Sequence, residues 1–200
     1  RELVCAVSAV AFGKSADHAA RLLETVHRSG IGALSVAQRE GVPMTYPELY
    51  AGNETDYTSP FRTAVHNIWT DDLSGAFAAL ARRWQERPPR SPRSFILTAW
   101  GVGPSPDDAD SCFSYAGDHY LSWYLMADSE ADVEPNNAWM DEAVEYMAPW
   151  TRGHYPNEIN PGRYPDALRA SFAPKKWKRL EALRDQYDPD RVFHSFLGFS

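Results

Sequence analysis

Residues 119–125 read His-Tyr-Leu-Ser-Trp-Tyr-Leu, so that His119, Leu121, Trp123 and Leu125 alternate with Tyr120, Ser122 and Tyr124. Successive side chains of an extended chain point to opposite faces, and the run therefore predicts a strand with one apolar face and one face rich in hydroxyl groups. Such a strand needs a dry layer on one side only. Few folds accept it.

The order of the neighbouring segments narrows the choice. Residues 3–12, Leu-Val-Cys-Ala-Val-Ser-Ala-Val-Ala-Phe, are small, branched and apolar up to Gly13, and predict a buried strand. Ser15 offers an N-cap to a helix through Ala19, Leu22, Leu23 and Val26, which Gly30 stops. From Gly41 to Pro60 prolines and glycines predict a loop with at most a short helix at Tyr46–Tyr50. Phe61–Trp69 reads as extended, Asp71 or Asp72 caps a helix through Phe77, Leu80 and Trp84, and Ser94–Ala99 is a further strand.

A helix from about Pro135 to Trp150 follows, with Trp139, Val144 and Met147 on its buried side. Pro174 fits the first turn of a last helix, where a missing N–H costs little, and Trp177, Leu180, Leu183 and Tyr187 form its inward stripe. Strands and helices in this order give an α+β fold, an antiparallel sheet with helices packed on one face. Two hundred residues suffice for a full core, since a chain of this length buries roughly 70% of its unfolded surface.

Charge narrows the function. A net charge of −7 disfavours a nucleic-acid backbone or an anionic membrane as partner, because either needs a clustered basic surface. Lys175, Lys176, Lys178 and Arg179 do cluster, and read as a solvated helix face. No apolar run approaches the roughly 20 residues that span a bilayer. Cys5 and Cys112 sit among apolar residues and are expected as buried thiols, which mildly favours a reducing, cytoplasmic compartment. The chain opens Arg1-Glu2-Leu3 without a methionine or an apolar signal core, as expected of a processed, trimmed or subcloned piece.

Two motifs in the last fifty residues carry the chemistry. One is Gly153-His154-Tyr155-Pro156-Asn157-Glu158; the other is Tyr187-Asp188-Pro189-Asp190-Arg191-Val192-Phe193, which closes a basic helix. Together they resemble the C-terminal segment of berberine bridge enzyme-like proteins, a branch of the FAD-linked oxidases related to vanillyl-alcohol oxidase. Pro43-Met44-Thr45-Tyr46-Pro47-Glu48-Leu49, the stretch Arg62–Trp69 before Asp71-Asp72, Pro92-x-Ser94 and the aromatic strand before Ala127-Asp128 fall in the order of that family's substrate-binding domain.

The resemblance implies a substrate-binding α+β domain over residues 1–150 and a family C-terminal segment over residues 151–200. It also implies a flavin domain that lies outside this chain, because Gly101-Val102-Gly103-Pro104 has proline where a phosphate cradle wants free N–H groups. FAD would then be held mainly by that partner domain. The complete enzyme would oxidise a small hydroxyl- or amine-bearing molecule by hydride transfer to flavin.

By position in the motif, Tyr155 lies by flavin and substrate, and Asn157 contacts the flavin ring. Many family members place a second tyrosine directly after the asparagine, where this chain has Glu158. A carboxylate there is either the general base or a structural group that caps a turn or pairs with Arg163 or Arg152. Tyr120, Trp123, Tyr124 and His66 are the candidates for lining the substrate cavity, with aromatic core packing as the alternative for Tyr120, Trp123 and Tyr124. His66, His119 and His154 are either proton carriers or hydrogen-bonded structural histidines, and none stands in a metal-ligand spacing. Asp107, Asp108 and Asp110 read as a solvated turn, and Asp188-Pro189 as the end of the last helix. The reading from another class is a free-standing, flavin-less binding or cyclase-like domain that positions a ligand in an aromatic cavity.

Overall fold

The alternating run becomes the middle strand of a three-stranded antiparallel sheet. In the computed structural model, which describes residues 8–38, 41–57, 63–100, 112 and 117–195, the strands are β1 (Ala64–Thr70), β2 (Phe95–Trp100) and β3 (His119–Leu125). Their spatial order is β1-β3-β2. The register sets Ile68 opposite Leu121, His66 opposite Trp123 and Asn67 opposite Ser122 on one side of β3, with Ile96 opposite Trp123 on the other. Period-two alternation then sorts the residues: Ile68, Leu121, Trp123 and Leu125 share one face, while Asn67, Trp69, Tyr120, Ser122 and Tyr124 share the other.

The apolar face is covered by α4 (Leu73–Glu86) and α5 (Val133–Met147). Asp72 caps α4 by accepting from the Gly75 N–H at 2.9 Å, as a short carboxylate before an apolar-periodic run should. Ala76, Ala79, Leu80 and Trp84 from α4 meet Trp139, Met140, Ala143 and Met147 from α5 over the strand residues, forming the core. Ala76 and Ala79 on α4 let it approach, and Trp139, Met140 and Met147 of α5 fill the space. Trp139 closes the layer by stacking edge-on against Trp84 and donating its indole N–H to the Arg87 carbonyl at 2.7 Å. This is the expected α+β arrangement.

The chain divides into two compact units, residues 1–58 and 59–200. The second holds the sheet, its helices and the segment from 151 onward, including α6 (Pro165–Ala170) and α7 (Pro174–Tyr187). Pro174 sits in the first turn of α7, and Trp177 is buried, but Tyr187 is 73% exposed. The inward stripe therefore stops short of Tyr187, because α7 ends there and its chain turns over Asp188. That carboxylate, nearly buried, accepts from the Val192 N–H at 2.7 Å.

The first unit holds α1 (Ala16–Arg28), α2 (Ile31–Leu34) and α3 (Tyr46–Tyr57). Ser15 caps α1, and Gly30 ends the run in the left-handed region at φ 77°, a conformation that glycine adopts without strain. The expected strand at 3–12 is not formed over its described part: residues 8–12 are irregular, and Phe12, 66% exposed, stacks on Tyr46 at 5.6 Å instead. A small, branched apolar run favours extension, but a strand exists only where a ladder partner meets it. Residues 3–7 lie outside the described residues. In turn α3 is longer than the expected helix at Tyr46–Tyr50. Thr45 donates its N–H to Glu48 Oε2 at 2.7 Å while the Glu48 N–H reaches back to Thr45 Oγ1, a capping box that starts the helix firmly.

Candidate functional site

Segment 152–159 closes over the hydroxyl-rich face of the sheet, and its grip on β1 is specific. The Trp69 N–H donates to the Gly153 carbonyl and the Arg152 N–H to the Trp69 carbonyl, both at 2.8 Å. Asn67, fully buried, then uses its whole carboxamide on the same segment. Nδ2 donates to the Tyr155 carbonyl at 2.9 Å and to the Glu158 carbonyl at 3.0 Å, and Oδ1 accepts from the Tyr155 N–H at 2.6 Å. A buried amide with all these groups satisfied fixes the turn Pro156–Glu158 in one conformation. His154 adds a contact of 2.7 Å between its Nδ1 and the Asn67 carbonyl oxygen. Since a carbonyl only accepts, Nδ1 carries the proton.

The turn presents Glu158 to Tyr120. The Tyr120 hydroxyl donates to Glu158 Oε2. Burial, and secondly this carboxylate, push the Tyr120 pKa far above the ordinary phenol value, so Tyr120 keeps its proton and Glu158 holds the accepting role. Tyr155 completes the corner: its ring meets Tyr120 edge-on at 6.3 Å, and its hydroxyl accepts from Asn157 Nδ2 at 2.9 Å. Trp69 lies against the other side of Tyr120 at 5.0 Å, with its buried indole N–H lacking a hydrogen-bond partner.

Four of the residues singled out from sequence are thus brought together: Tyr120, Tyr155, Asn157 and Glu158. Tyr124 lies on the same sheet face, stacked on Phe95 at 4.6 Å. Trp123 and His66 are not in this group. Both are fully buried on the helix-covered face, Trp123 with its indole N–H on Met140 Sδ and His66 against Trp123, His154 and Tyr164, so neither lines a space shared with Tyr120. A one-residue step along a strand reverses the face, and that parity separates Trp123 from Tyr120 and Tyr124.

Neither ion pair expected as a structural alternative for Glu158 is formed. Arg152 pairs with Asp71 at 2.8 Å and Arg163 with Asp141, and the partner of Glu158 is Tyr120. The Arg163 guanidinium, with the Tyr164 hydroxyl, holds the Asp141 carboxyl below the usual carboxylate range. Burial, and secondly the neighbouring His154, lower the His66 pKa to about 3; burial also lowers that of His154, against the Asn67 carbonyl bond.

Sequence reasoning missed Asn67 and Trp69. A lone Asn in an extended apolar stretch is the one available signal, since a polar residue at a strand's buried position requires a partner. His119 stands elsewhere, with Asp71, Asp72, Ser74, Phe77 and Thr98, around an open cleft of about 600 Å3. Gly101–Pro104, Asp107, Asp108, Asp110 and Cys5 lie outside the described residues, and Cys112 is half-buried. Among the described residues no three His, Cys, Asp or Glu side chains cluster as metal ligands, and no helix is long and apolar enough to cross a membrane.

No family model and no curated protein matches the chain. What fold and site define is an α+β protein whose sheet carries a tyrosine–carboxylate corner under an anchored loop.

Proposed function

We propose that this chain is the substrate-binding and C-terminal portion of an FAD-dependent oxidoreductase acting on a small hydroxyl- or amine-bearing molecule. The observation that carries the reading is the corner itself: Tyr120, Tyr155, Asn157 and Glu158, picked out by motif and by strand parity, meet on one sheet face. Asn157 is exposed and Tyr155 half-buried, which suits contact with the edge of a flavin ring. The sequence Gly101-Val102-Gly103-Pro104 has proline where a phosphate cradle wants free N–H groups, and the reading therefore assigns the cofactor's phosphates to a flavin domain on the same or another chain. FAD supplies the acceptor for hydride.

This chain's residues orient the substrate and move its proton. Glu158 takes the proton from the substrate's hydroxyl or ammonium group, while the Tyr120 hydroxyl, donating to Oε2, holds the carboxylate in place. Tyr155 and Asn157 hold each other and orient the reacting carbon. The Trp69 indole N–H is a spare donor beside them.

The test is reconstitution with a flavin domain. Glu158→Gln is expected to lower kcat by about 10²–10⁴, the usual contribution of a general base, and Tyr155→Phe to lower it less. Unchanged turnover in both variants sinks the assignment. Tight small-molecule binding by the chain alone, with no gain on adding the flavin domain, would favour a free-standing binding domain.

A further inference from the structure

The turn that carries the candidate site is fastened beside two buried imidazoles with little else to hold a charge. His66 is fully buried, and neither of its ring nitrogens has a hydrogen-bond partner. Its ring lies 5.1 Å from that of His154 and 4.8 Å from that of Tyr164. His154 is the residue immediately before the Tyr155–Glu158 turn, and its one hydrogen bond runs from Nδ1 to the Asn67 carbonyl. We propose that His66 and His154 form an acid-released latch on segment 152–159, so that acidification lifts the turn and takes Glu158 off Tyr120 while the sheet stays folded. This regulatory proposal rests on the reading of the site given above.

Geometry supports each half. A proton on either imidazole places a cation about 5 Å from the second imidazole, and among the described residues neither ring is hydrogen-bonded to a carboxylate. From β3 the facing side chain is Trp123, which does not titrate. From segment 153–164 the facing titratable groups are His154 and Tyr164, whose phenol is pushed up by burial and by Asp141. From α5 the group behind Tyr164 is Asp141, already engaged by Arg163 and the Tyr164 hydroxyl, while Glu142 turns to Arg83 and Arg87. On β1 itself Ile68 is the next residue on the same face. Opening the segment hydrates both imidazoles, and an open state that binds protons more readily gains population as pH falls.

The fastening is also separable from the sheet. Segment 152–159 is tied to β1 by the Trp69 backbone pair, the Asn67 carboxamide and the His154 contact. The ladder of β1 with β3, and the α4–α5 core beneath it, use different groups. The segment can therefore leave without unravelling a strand.

Hydrogen exchange of the whole chain, followed by mass spectrometry from pH 7.5 to 4.5 and corrected for intrinsic rates, reads this directly. Peptides covering 152–159 are expected to lose at least tenfold protection between pH 7 and 5, while those covering 119–125 keep theirs. Protection at 152–159 that is independent of pH, or that is lost together with the strands, overturns the proposal. His154→Gln keeps a side-chain donor for the Asn67 carbonyl without a titrating ring, and His66→Gln removes the second proton site; each is expected to flatten the pH response. Should one variant fail to fold, the other decides, and retention of the wild-type response by a folded variant rejects the latch. Flavin takes no part in this experiment, so its failure and that of the oxidoreductase reading are distinguishable.

Discussion

The two faces of one sheet are covered in different ways. On the face under α4 and α5, Ile68, Leu121, Trp123 and Leu125 pack into the apolar core, with the His66 ring against Trp123, and are at most 1% exposed. On the opposite face, one residue along each strand, Asn67, Trp69 and Tyr120 meet a loop of hydrogen-bonding groups. The strands, register and twist are shared, so the difference arises from what covers each face. Helices exclude water through area; the loop excludes it only where each of its polar groups finds a partner. The first arrangement supports stability and the second holds a titratable group in place.

Removing bulk from the dry face should have the largest effect. Trp123→Ala is expected to cost about 3–5 kcal/mol in denaturant unfolding, the range for truncating a fully buried aromatic. A cost below 1 kcal/mol would mean that this face is not the core. Acid comes next, and its sign is fixed by the lowered pKa of His66. A histidine near 3 when folded and near its ordinary value when unfolded stabilises the fold fully above about pH 6.5. That contribution is lost as pH falls toward 3, by at most about 1.4 kcal/mol per pH unit for each group. Thermal unfolding between pH 7 and 4 should therefore show a falling Tm, and His66→Gln a shallower fall.

Asn67→Ala addresses the wet face. It leaves the Tyr155 N–H and the Tyr155 and Glu158 carbonyls without their partner, and is expected to cost about 2 kcal/mol. The loss should appear as faster exchange in 152–159 before any change in 119–125; simultaneous loss would merge the two faces into one cooperative layer. Asp72→Ala, which removes the cap of α4, should cost about 1 kcal/mol in the same denaturant assay and leave segment 152–159 unaffected.

Much of the dry face was legible in the sequence, since parity along 119–125 and the capping Asp72 are local signals. The turn Tyr155–Glu158 stood out through its motif. What was not legible depended on pairing. Whether residues 8–12 become a strand depends on a partner ladder, and whether Trp123 or Tyr120 faces the loop depends on which side the helices take. Asn67 looked like an ordinary strand residue, because its three partners lie some ninety residues away. Glu158 had two arginines within a few positions, yet Arg152 and Arg163 are drawn to Asp71 and Asp141, and a phenol from the middle strand takes their place.

The division of labour between the faces is tested most directly by measuring Tm and turnover on one preparation of Glu158→Gln reconstituted with a flavin domain. Turnover lower by at least about 100-fold, with Tm within about 2 °C of the parent, is the expected result for a group that serves chemistry rather than the core. Full turnover, or a loss that merely follows a fallen Tm, would contradict it.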